Sequence, residues 1–165
     1  MNSLKKSARL AGILYLILVI TGVFSIMYVS SQIIVQNDGI TTAKNILAKE
    51  ILFRTGIIND LFSNTIFVLL VLVLYRMFKQ VNEHLAKLMV AFVIVQVPAV
   101  FIMEAFNITS LMIFKGEILQ TFEHNQIQDL AMLFLKINDN GTLTMEMFWG
   151  LWLLPFGLLV YKSQF

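Results

Sequence analysis

The sequence of 165 residues contains no cysteine, only two prolines and two histidines, and few charged residues. The lack of cysteine excludes disulfide bonds, thiolate metal sites, iron–sulfur clusters and cysteine nucleophiles. Two histidines are also too few for a histidine-rich metal centre. Charged residues make up 13% of the chain and hydrophobic residues 58%, whereas a soluble domain carries about a quarter charged residues. The chain is therefore too apolar for a soluble domain and should be surrounded by lipid.

The sequence also lacks the motifs that would name a reaction. It has no Gly-rich phosphate loop, no H-E-x-x-H, no G-x-S-x-G and no C-x-x-C. A net charge of +2 gives no reason to expect a nucleic-acid partner. We therefore assign no catalytic residues, expect no cofactor and favour a protein that is not an enzyme, while a metal site stays undecided.

Four long apolar segments are present instead, at about residues 10–29, 57–78, 88–114 and 143–161. A helix of about 20 residues, rising 1.5 Å per residue, crosses the ~30 Å hydrocarbon core of a bilayer. The first segment is longer than the apolar core of a secretory signal peptide, so it predicts a retained helix. We predict an all-α integral membrane helical bundle, with residues 1–165 forming a single transmembrane domain.

Two amphipathic segments between the spans predict interfacial helices on the outer side of the membrane. In the stretch TTAKNILAKEILFR, Ala43, Leu47 and Ile51 fall on one stripe, as expected of an interfacial helix that leads into the second span. A second interfacial helix can be capped by Asn125 and is expected to end at the Asn-Gly pair of residues 140–141, because this pair tolerates a left-handed C-cap.

The distribution of lysine and arginine between the two sides of the membrane indicates how the protein is oriented in it. The N-terminus, the loop between spans two and three and the C-terminus carry seven basic residues. The opposite side carries five, diluted by acidic residues. Because cytoplasmic loops are enriched in lysine and arginine, both termini are predicted to be cytoplasmic.

Three acidic residues fall within the spans: Asp60, Glu104 and Glu146, on spans two, three and four. With the predicted orientation, all three lie in the outer half of the bilayer. Lipid cannot form hydrogen bonds with them or with the polar residues on the same helix faces, so these faces should turn towards one another. The candidate ligand-binding residues are Asp60, Asn64, Glu104, Asn107 and Glu146, supported by Arg54, Asn59, Ser63 and Gln96.

An aspartate within span two is energetically tolerable. The thirteen Leu, Ile, Val and Phe residues from Ile57 to Leu74 favour insertion by roughly 4–8 kcal/mol, and a central aspartate opposes it by roughly 3 kcal/mol. Arg54, which precedes the span, is expected to reach the membrane surface and to pair with Glu50 four residues earlier.

The polar cluster has two interpretations. It can join the helices through contacts worth roughly 0.6–2 kcal/mol each, or it can form a polar intramembrane pocket that binds a small ligand, a cation, a proton or a lipid headgroup. The leading hypothesis is a non-enzymatic protein with such a pocket. The alternatives are a small or proton-coupled transporter and, less favoured, an intramembrane enzyme that depends on the carboxylates. The expected partners are membrane lipids and, for a four-span transporter, further copies of the chain as a homo-oligomer.

Two blocks, ARLAGILY at residues 8–15 and ILAKEILFRTGIIND at residues 46–60, are followed by LAMLFLKINDNG and LLVYKSQF. Together and in this order they resemble a bacterial family called domain of unknown function 4386, over nearly the whole chain. The resemblance implies a multi-pass protein of the bacterial inner membrane without an established activity. It also implies a short or C-terminally truncated member, because members usually continue past the YKS segment. Members tend to carry histidine at the positions of Asn138 and Trp152, so a metal or proton site that depended on those histidines would be absent here.

Overall fold

The structure, a computed structural model, describes residues 2–36 and 38–163. These residues form helices and no strand, so the all-α prediction is confirmed. The elements are α1 (Asn2–Val23), a π-helical segment (Phe24–Val29), α2 (Ser30–Ile33), α3 (Gly39–Ala48), α4 (Glu50–Phe78), α5 (Glu83–Phe114), α6 (His124–Leu151) and α7 (Leu153–Ser163).

Among the described residues, four helical stretches are long and apolar enough to cross a membrane: Leu4–Ile33, Glu50–Phe78, Glu83–Phe114 and Asn125–Ser163. The protein is a multi-pass membrane protein, as its composition predicts. Helix α4 has 29 residues, which corresponds to about 43 Å and exceeds the ~30 Å hydrocarbon core. Its polar first turns can therefore lie at the membrane surface while the apolar remainder spans the bilayer.

Helices α4, α5 and α6 pack in an antiparallel arrangement. The Lys115 ammonium at the end of α5 contacts Glu50 at the start of α4 at 3.1 Å. The Ser110 hydroxyl donates to the carbonyl oxygen of Ala131 at 2.9 Å and joins α5 to α6. The start of α4, the end of α5 and the start of α6 thus lie together with α3, and we call this the α3 end of the bundle.

Two apolar clusters hold the bundle together. The larger one joins α1, α4, α5 and α7 around fully buried residues such as Val71, Met89 and Leu159. The smaller one lies at the α3 end and includes Ile46 and Leu111. Between the two clusters, polar side chains face the interior.

The π-helical segment packs against α4. The carbonyl oxygen of Thr21, the hydroxyl of Ser25 and the side chain of Val29 all meet α4. A Cβ atom added to Gly56 of α4 would lie 2.9 Å from Cγ1 of Val29, so any larger residue would force the Val29 side chain to shift, and glycine lets Val29 pack directly on α4.

The predicted helix end at Asn140-Gly141 is wrong, because α6 continues through this pair to Leu151. A Cβ atom at Gly141 would overlap the sulfur atom of Met103 on α5. One turn away, the Asn138 amide donates to the carbonyl oxygen of Met103 at 2.8 Å. Gly141 therefore serves close helix packing rather than a C-cap, and the second predicted interfacial helix is the first part of the fourth long helix.

The predicted interfacial helix before span two exists as α3, but its buried face differs from the predicted stripe. Ala43 is buried, whereas Leu47 is 44% exposed and Ile51 is 83% exposed. The chain leaves helical geometry at Lys49, with φ −118° and ψ 39°. The helical period is therefore not continued from α3 into α4, and Thr42 and Ile46 are buried beside Ala43 instead.

Asp38 caps the N-terminus of α3. Its Oδ1 atom accepts the Thr41 N–H at 2.9 Å, and its Oδ2 atom accepts the Thr41 hydroxyl at 2.6 Å. The side-chain hydrogen bond from Thr41, followed by its backbone hydrogen bond, lowers the pKa of Asp38 below the usual value of 3.8.

A pH dependence of α3 follows from this cap. A lowered folded-state pKa means that ionised Asp38 stabilises the fold fully above the unfolded pKa of 3.8, and that this contribution is lost as pH falls through the folded pKa. We expect the amide hydrogens at the start of α3 to lose protection against exchange in that range. Hydrogen exchange of the peptide covering residues 38–48, corrected for intrinsic rates, measures the effect. Asp38→Asn keeps an acceptor at the cap and should show no such step, so a step of equal size in both chains would contradict the assignment.

Candidate functional site

A polar cluster lies where the π-helical segment, α4, α5 and α6 meet. We call it the carboxylate cluster, and it consists of Ser25, Asn59, Asp60, Glu104, Asn107 and Asn138.

The first half of the carboxylate cluster joins α4 to the π-helical segment. The Ser25 hydroxyl donates to Oδ1 of Asp60 at 2.6 Å. The Asn59 amide donates to the Ser25 hydroxyl at 2.7 Å and to the carbonyl oxygen of Thr21 at 2.9 Å. Sequence reasoning missed Ser25. Its signal was a second hydroxyl residue one turn after Thr21 in an otherwise apolar span.

The second half of the cluster joins α5 to α6. Glu104 is only 6% exposed. Its Oε2 atom accepts the Asn107 amide at 3.0 Å, and the side chain of Asn138, whose amide donates to the carbonyl oxygen of Met103, lies close to it. The carboxyl groups of Asp60 and Glu104 are close enough for their charges to interact. Neither acid takes part in an ion pair with any residue of the described ranges.

The structure separates Glu146 from the other two acids. Hydrogen bonds between α5 and α6 align residue 131 with 110 and residue 138 with 103. Continuing this register places Glu146 opposite residue 95, nine residues or about 13 Å from Glu104 along the helix axis. Glu146 is exposed. The prediction placed Glu146 near the outer start of a helix that begins after residues 140–141. Because α6 instead runs through this pair, Glu146 lies at a different depth and on a different side of the helix.

The remaining candidate residues do not bond to the carboxyl groups of Asp60 or Glu104. Asn64 and Ser63 are half-buried and bond back to carbonyl oxygens of their own helix, those of Asp60 and Asn59, at 2.9 and 2.8 Å. Arg54 is exposed and pairs with Glu50 at 2.8 Å, as predicted, and so it lies outside the cluster.

Gln96 is fully buried on α5, and neither polar atom of its amide has a hydrogen-bond partner in the described part of the chain. It lies eight residues, or about 12 Å, from Glu104 along the helix. A buried amide without a partner costs about 1–3 kcal/mol. Gln96 is therefore part of the polar interior without being joined to the carboxylate cluster by a hydrogen bond.

The sequence matches Domain of unknown function (DUF4386) over residues 10–165, which is nearly its whole length. The chain belongs to the DUF4386 family. No curated protein and no solved structure matches this DUF4386 chain. Of the two positions where the resemblance implies histidine in other members, Asn138 lies near Glu104 and donates to the carbonyl oxygen of Met103, whereas Trp152 lies in the larger apolar cluster.

Two clefts of this DUF4386 protein lie away from the carboxylate cluster. One of about 240 Å³ and one of about 140 Å³ lie between α3 and α6 at the α3 end, with the end of α5 lining the larger, and Ile40 and Ala43 line both. In the described part of the DUF4386 chain, no three His, Cys, Asp or Glu side chains come together as a metal site. The carboxylate cluster is thus a packed network of two acids with hydroxyl and amide partners, a set of groups that can hold a proton or a small cation.

Proposed function

We propose that this protein is a non-enzymatic integral membrane protein of the bacterial inner membrane whose Asp60 and Glu104 together bind one small positive charge, a monovalent cation or a proton. The observation that carries the proposal is geometric: Asp60 of α4 and Glu104 of α5 both turn into the interior of the bundle, each accepts a hydrogen bond from a neutral side chain, and neither forms an ion pair with a described residue.

Two carboxyl groups inside a membrane are energetically costly unless their charge is neutralised. An ionised carboxylate near the centre of a spanning helix opposes insertion by roughly 2.5–3.5 kcal/mol, and buried acids in spans are commonly paired or belong to ion and proton sites. Asp60 and Glu104 form no ion pair with a described lysine or arginine. One bound cation or proton would neutralise part of the negative charge and would be held by oxygens that Ser25 and Asn107 already orient.

The charge bias supports an orientation for the site. Seven basic residues on the side of the two termini, against five on the other, support cytoplasmic termini. The α3 end then faces outward, and the carboxylate cluster is reached from the outer half of the bilayer.

Thermal unfolding of the purified protein in detergent tests the proposal. Lithium, sodium and potassium chloride are compared with choline chloride at constant ionic strength, between pH 5 and pH 9. A ligand that binds only the folded state raises the unfolding midpoint. At 100 times its Kd, it adds about 2.7 kcal/mol to the free energy of unfolding. We expect one cation to raise the midpoint of the native chain, and Asp60→Asn and Glu104→Gln to abolish the rise.

Glu146→Gln is the matched control, because it removes an acid of the same helix bundle that lies about 13 Å from Glu104 along the axis. It should respond like the native chain. If the ligand is a proton, the native midpoint depends on pH but not on the cation, and Asp60→Asn removes that dependence. The proposal is wrong if neither salt nor pH separates the native chain from Asp60→Asn and Glu104→Gln, or if Glu146→Gln removes the response equally.

A further inference from the structure

The two clefts at the α3 end are adjoining parts of one groove between α3 and α6. The larger cleft, of about 240 Å³, and the smaller cleft, of about 140 Å³, share Ile40, Ala43 and Gln128 in their walls. Phe114 at the end of α5 lines the larger cleft, and Met132 of α6 lines the smaller one. We call this feature the interfacial groove. A water molecule takes up about 30 Å³ in the liquid, so the larger cleft has room for a group of several non-hydrogen atoms.

The two parts of the interfacial groove carry opposite charges. Lys44 and Lys115 line the larger cleft, and Asp129 lines the smaller one. Lys115 contacts Glu50 at 3.1 Å and Glu117 at 2.9 Å, which leaves one of its three N–H groups for a further acceptor. Lys44 and Asp129 are exposed and form no ion pair with any residue that the structure describes. A ligand that lies along the groove therefore meets cationic donors at one end and an anionic acceptor at the other.

The groove lies at the level where the spanning helices α5 and α6 meet the membrane surface. The hydrogen bonds that align residue 131 with 110 and residue 138 with 103 place Asp129 opposite residue 112, two residues before α5 ends at Phe114. Exposed apolar side chains adjoin these charges, with Ile40 of the groove 60% exposed and Ile51 at the start of α4 83% exposed. Charged groups next to an apolar surface match a lipid molecule at the depth where its headgroup joins its acyl chains.

The lipid-facing side of α1 shows what the groove adds to ordinary contact with lipid. Its exposed residues, such as Ile13, Leu16 and Ile20, are apolar, and none of them lines either cleft. Acyl chains can cover such a face, because it offers neither charge nor hydrogen bonds. The interfacial groove is concave and carries charges of both signs, which an acyl chain would leave unmatched.

We propose that the interfacial groove binds the headgroup of a phospholipid that carries both a phosphate and a primary ammonium group, as phosphatidylethanolamine does. The phosphate oxygens accept hydrogen bonds from the ammonium groups of Lys44 and Lys115, and the ammonium group of the lipid donates to the carboxylate of Asp129. The acyl chains leave the groove over the exposed side chains of Ile40 and Leu47. This site uses neither carboxylate of the proposed cation site and goes beyond that proposal.

Native mass spectrometry of the purified protein tests the proposal by counting the bound lipids. The protein in detergent is mixed with equal amounts of phosphatidylethanolamine, phosphatidylglycerol and phosphatidylcholine that have the same acyl chains. Phosphatidylglycerol has the phosphate without a cationic group, and the cationic group of phosphatidylcholine has no N–H to donate. We expect one phosphatidylethanolamine per chain, bound at least tenfold more than either of the other two lipids.

Two variants separate the two ends of the headgroup. Lys44→Gln removes a donor to the phosphate and should lower the binding of phosphatidylethanolamine at least tenfold. Asp129→Asn removes the acceptor for the ammonium group, so the preference over phosphatidylglycerol should disappear while phosphatidylglycerol still binds. Lys136→Gln and Asp139→Asn are the matched controls, because both residues are exposed on α6 and line neither cleft. Both controls should bind lipid like the native chain, and unchanged unfolding midpoints without lipid confirm that all four variants fold.

The inference is overturned if the native chain binds the three lipids equally, or if Lys44→Gln and Asp129→Asn bind phosphatidylethanolamine like the native chain. It is also overturned if phosphoethanolamine without acyl chains displaces the lipid at equal concentration, because the ligand would then be a soluble molecule. None of these outcomes changes the cation response of Asp60 and Glu104, so the two proposals fail separately.

Discussion

Replacing Trp152 with alanine is expected to lower the free energy of unfolding by about 3 kcal/mol. The indole is 6% exposed and lies between α6 and α7. It meets Phe67 edge-on at a centroid distance of 5.1 Å and stacks on Phe156 at 5.5 Å. Lipid offers little hydrophobic driving force for burying an indole, so the loss comes from the cavity and from two aromatic contacts worth about 0.5–1.5 kcal/mol each.

Reversible unfolding in mixed micelles, titrated with a denaturing detergent, measures this loss. Trp149→Ala is the matched control, because it removes the same side chain three residues earlier on the exposed side of α6. Its effect should stay within about 0.5 kcal/mol, as for other surface substitutions. Equal losses for the two variants would show that Trp152 contributes no more packing than an exposed tryptophan.

Gly141→Leu is expected to destabilise the protein by about 2 kcal/mol, the usual scale of overpacking. A side chain at this position overlaps the Met103 side chain where it now lies, so Met103 must leave its packed position between α5 and α6. Helix α6 cannot simply move away, since the Asn138 amide one turn earlier is bonded to the carbonyl oxygen of Met103 at 2.8 Å.

The same unfolding titration checks this expectation. Gly12→Leu introduces the same side chain at an open position and should cost little. Removing the obstacle should also restore stability, so Gly141→Leu combined with Met103→Ala should be less destabilised than the sum of the two single changes. Strict additivity would place the cause of the loss elsewhere.

The helical class and the number of long apolar helices could be predicted because both depend on hydropathy and length alone. The helix end at residues 140–141 could not. An Asn-Gly pair is a good C-cap in isolation, but here it lies inside a continuous helix whose Gly141 packs on Met103 and whose Asn138 is bonded to the carbonyl oxygen of Met103. Local propensity is a weak indicator wherever such tertiary contacts decide.

The candidate site likewise has residues that the sequence predicts and residues whose position depends on tertiary packing. The inward turn of Asp60 and Glu104 could be expected, because lipid offers their carboxyl groups no hydrogen bonds. The exclusion of Glu146 depends on the phase and depth of α6, which follow from its contacts with α5. The hydrogen bond of Ser25 to Asp60 could not be predicted, because a serine in a helix commonly bonds to its own backbone. Only the packing of the π-helical segment on α4 brings the two side chains together.

The π-helical turn at Phe24–Val29 has a consequence for how this chain can vary in length. In an α-helix, residues four apart point in directions that differ by about 40° around the helix axis. A π turn, with its i→i+5 hydrogen bonds, places more residues in each turn and so cancels that rotation. Thr21, Ser25 and Val29 therefore all reach α4. The turn acts as a one-residue insertion that sets the helical phase. Deleting a single residue from it would rotate one side of the helix by about 100° relative to the other, and Ser25 and Val29 could not both keep their places. Related chains should therefore keep the number of residues between these two positions, even where the residues themselves change.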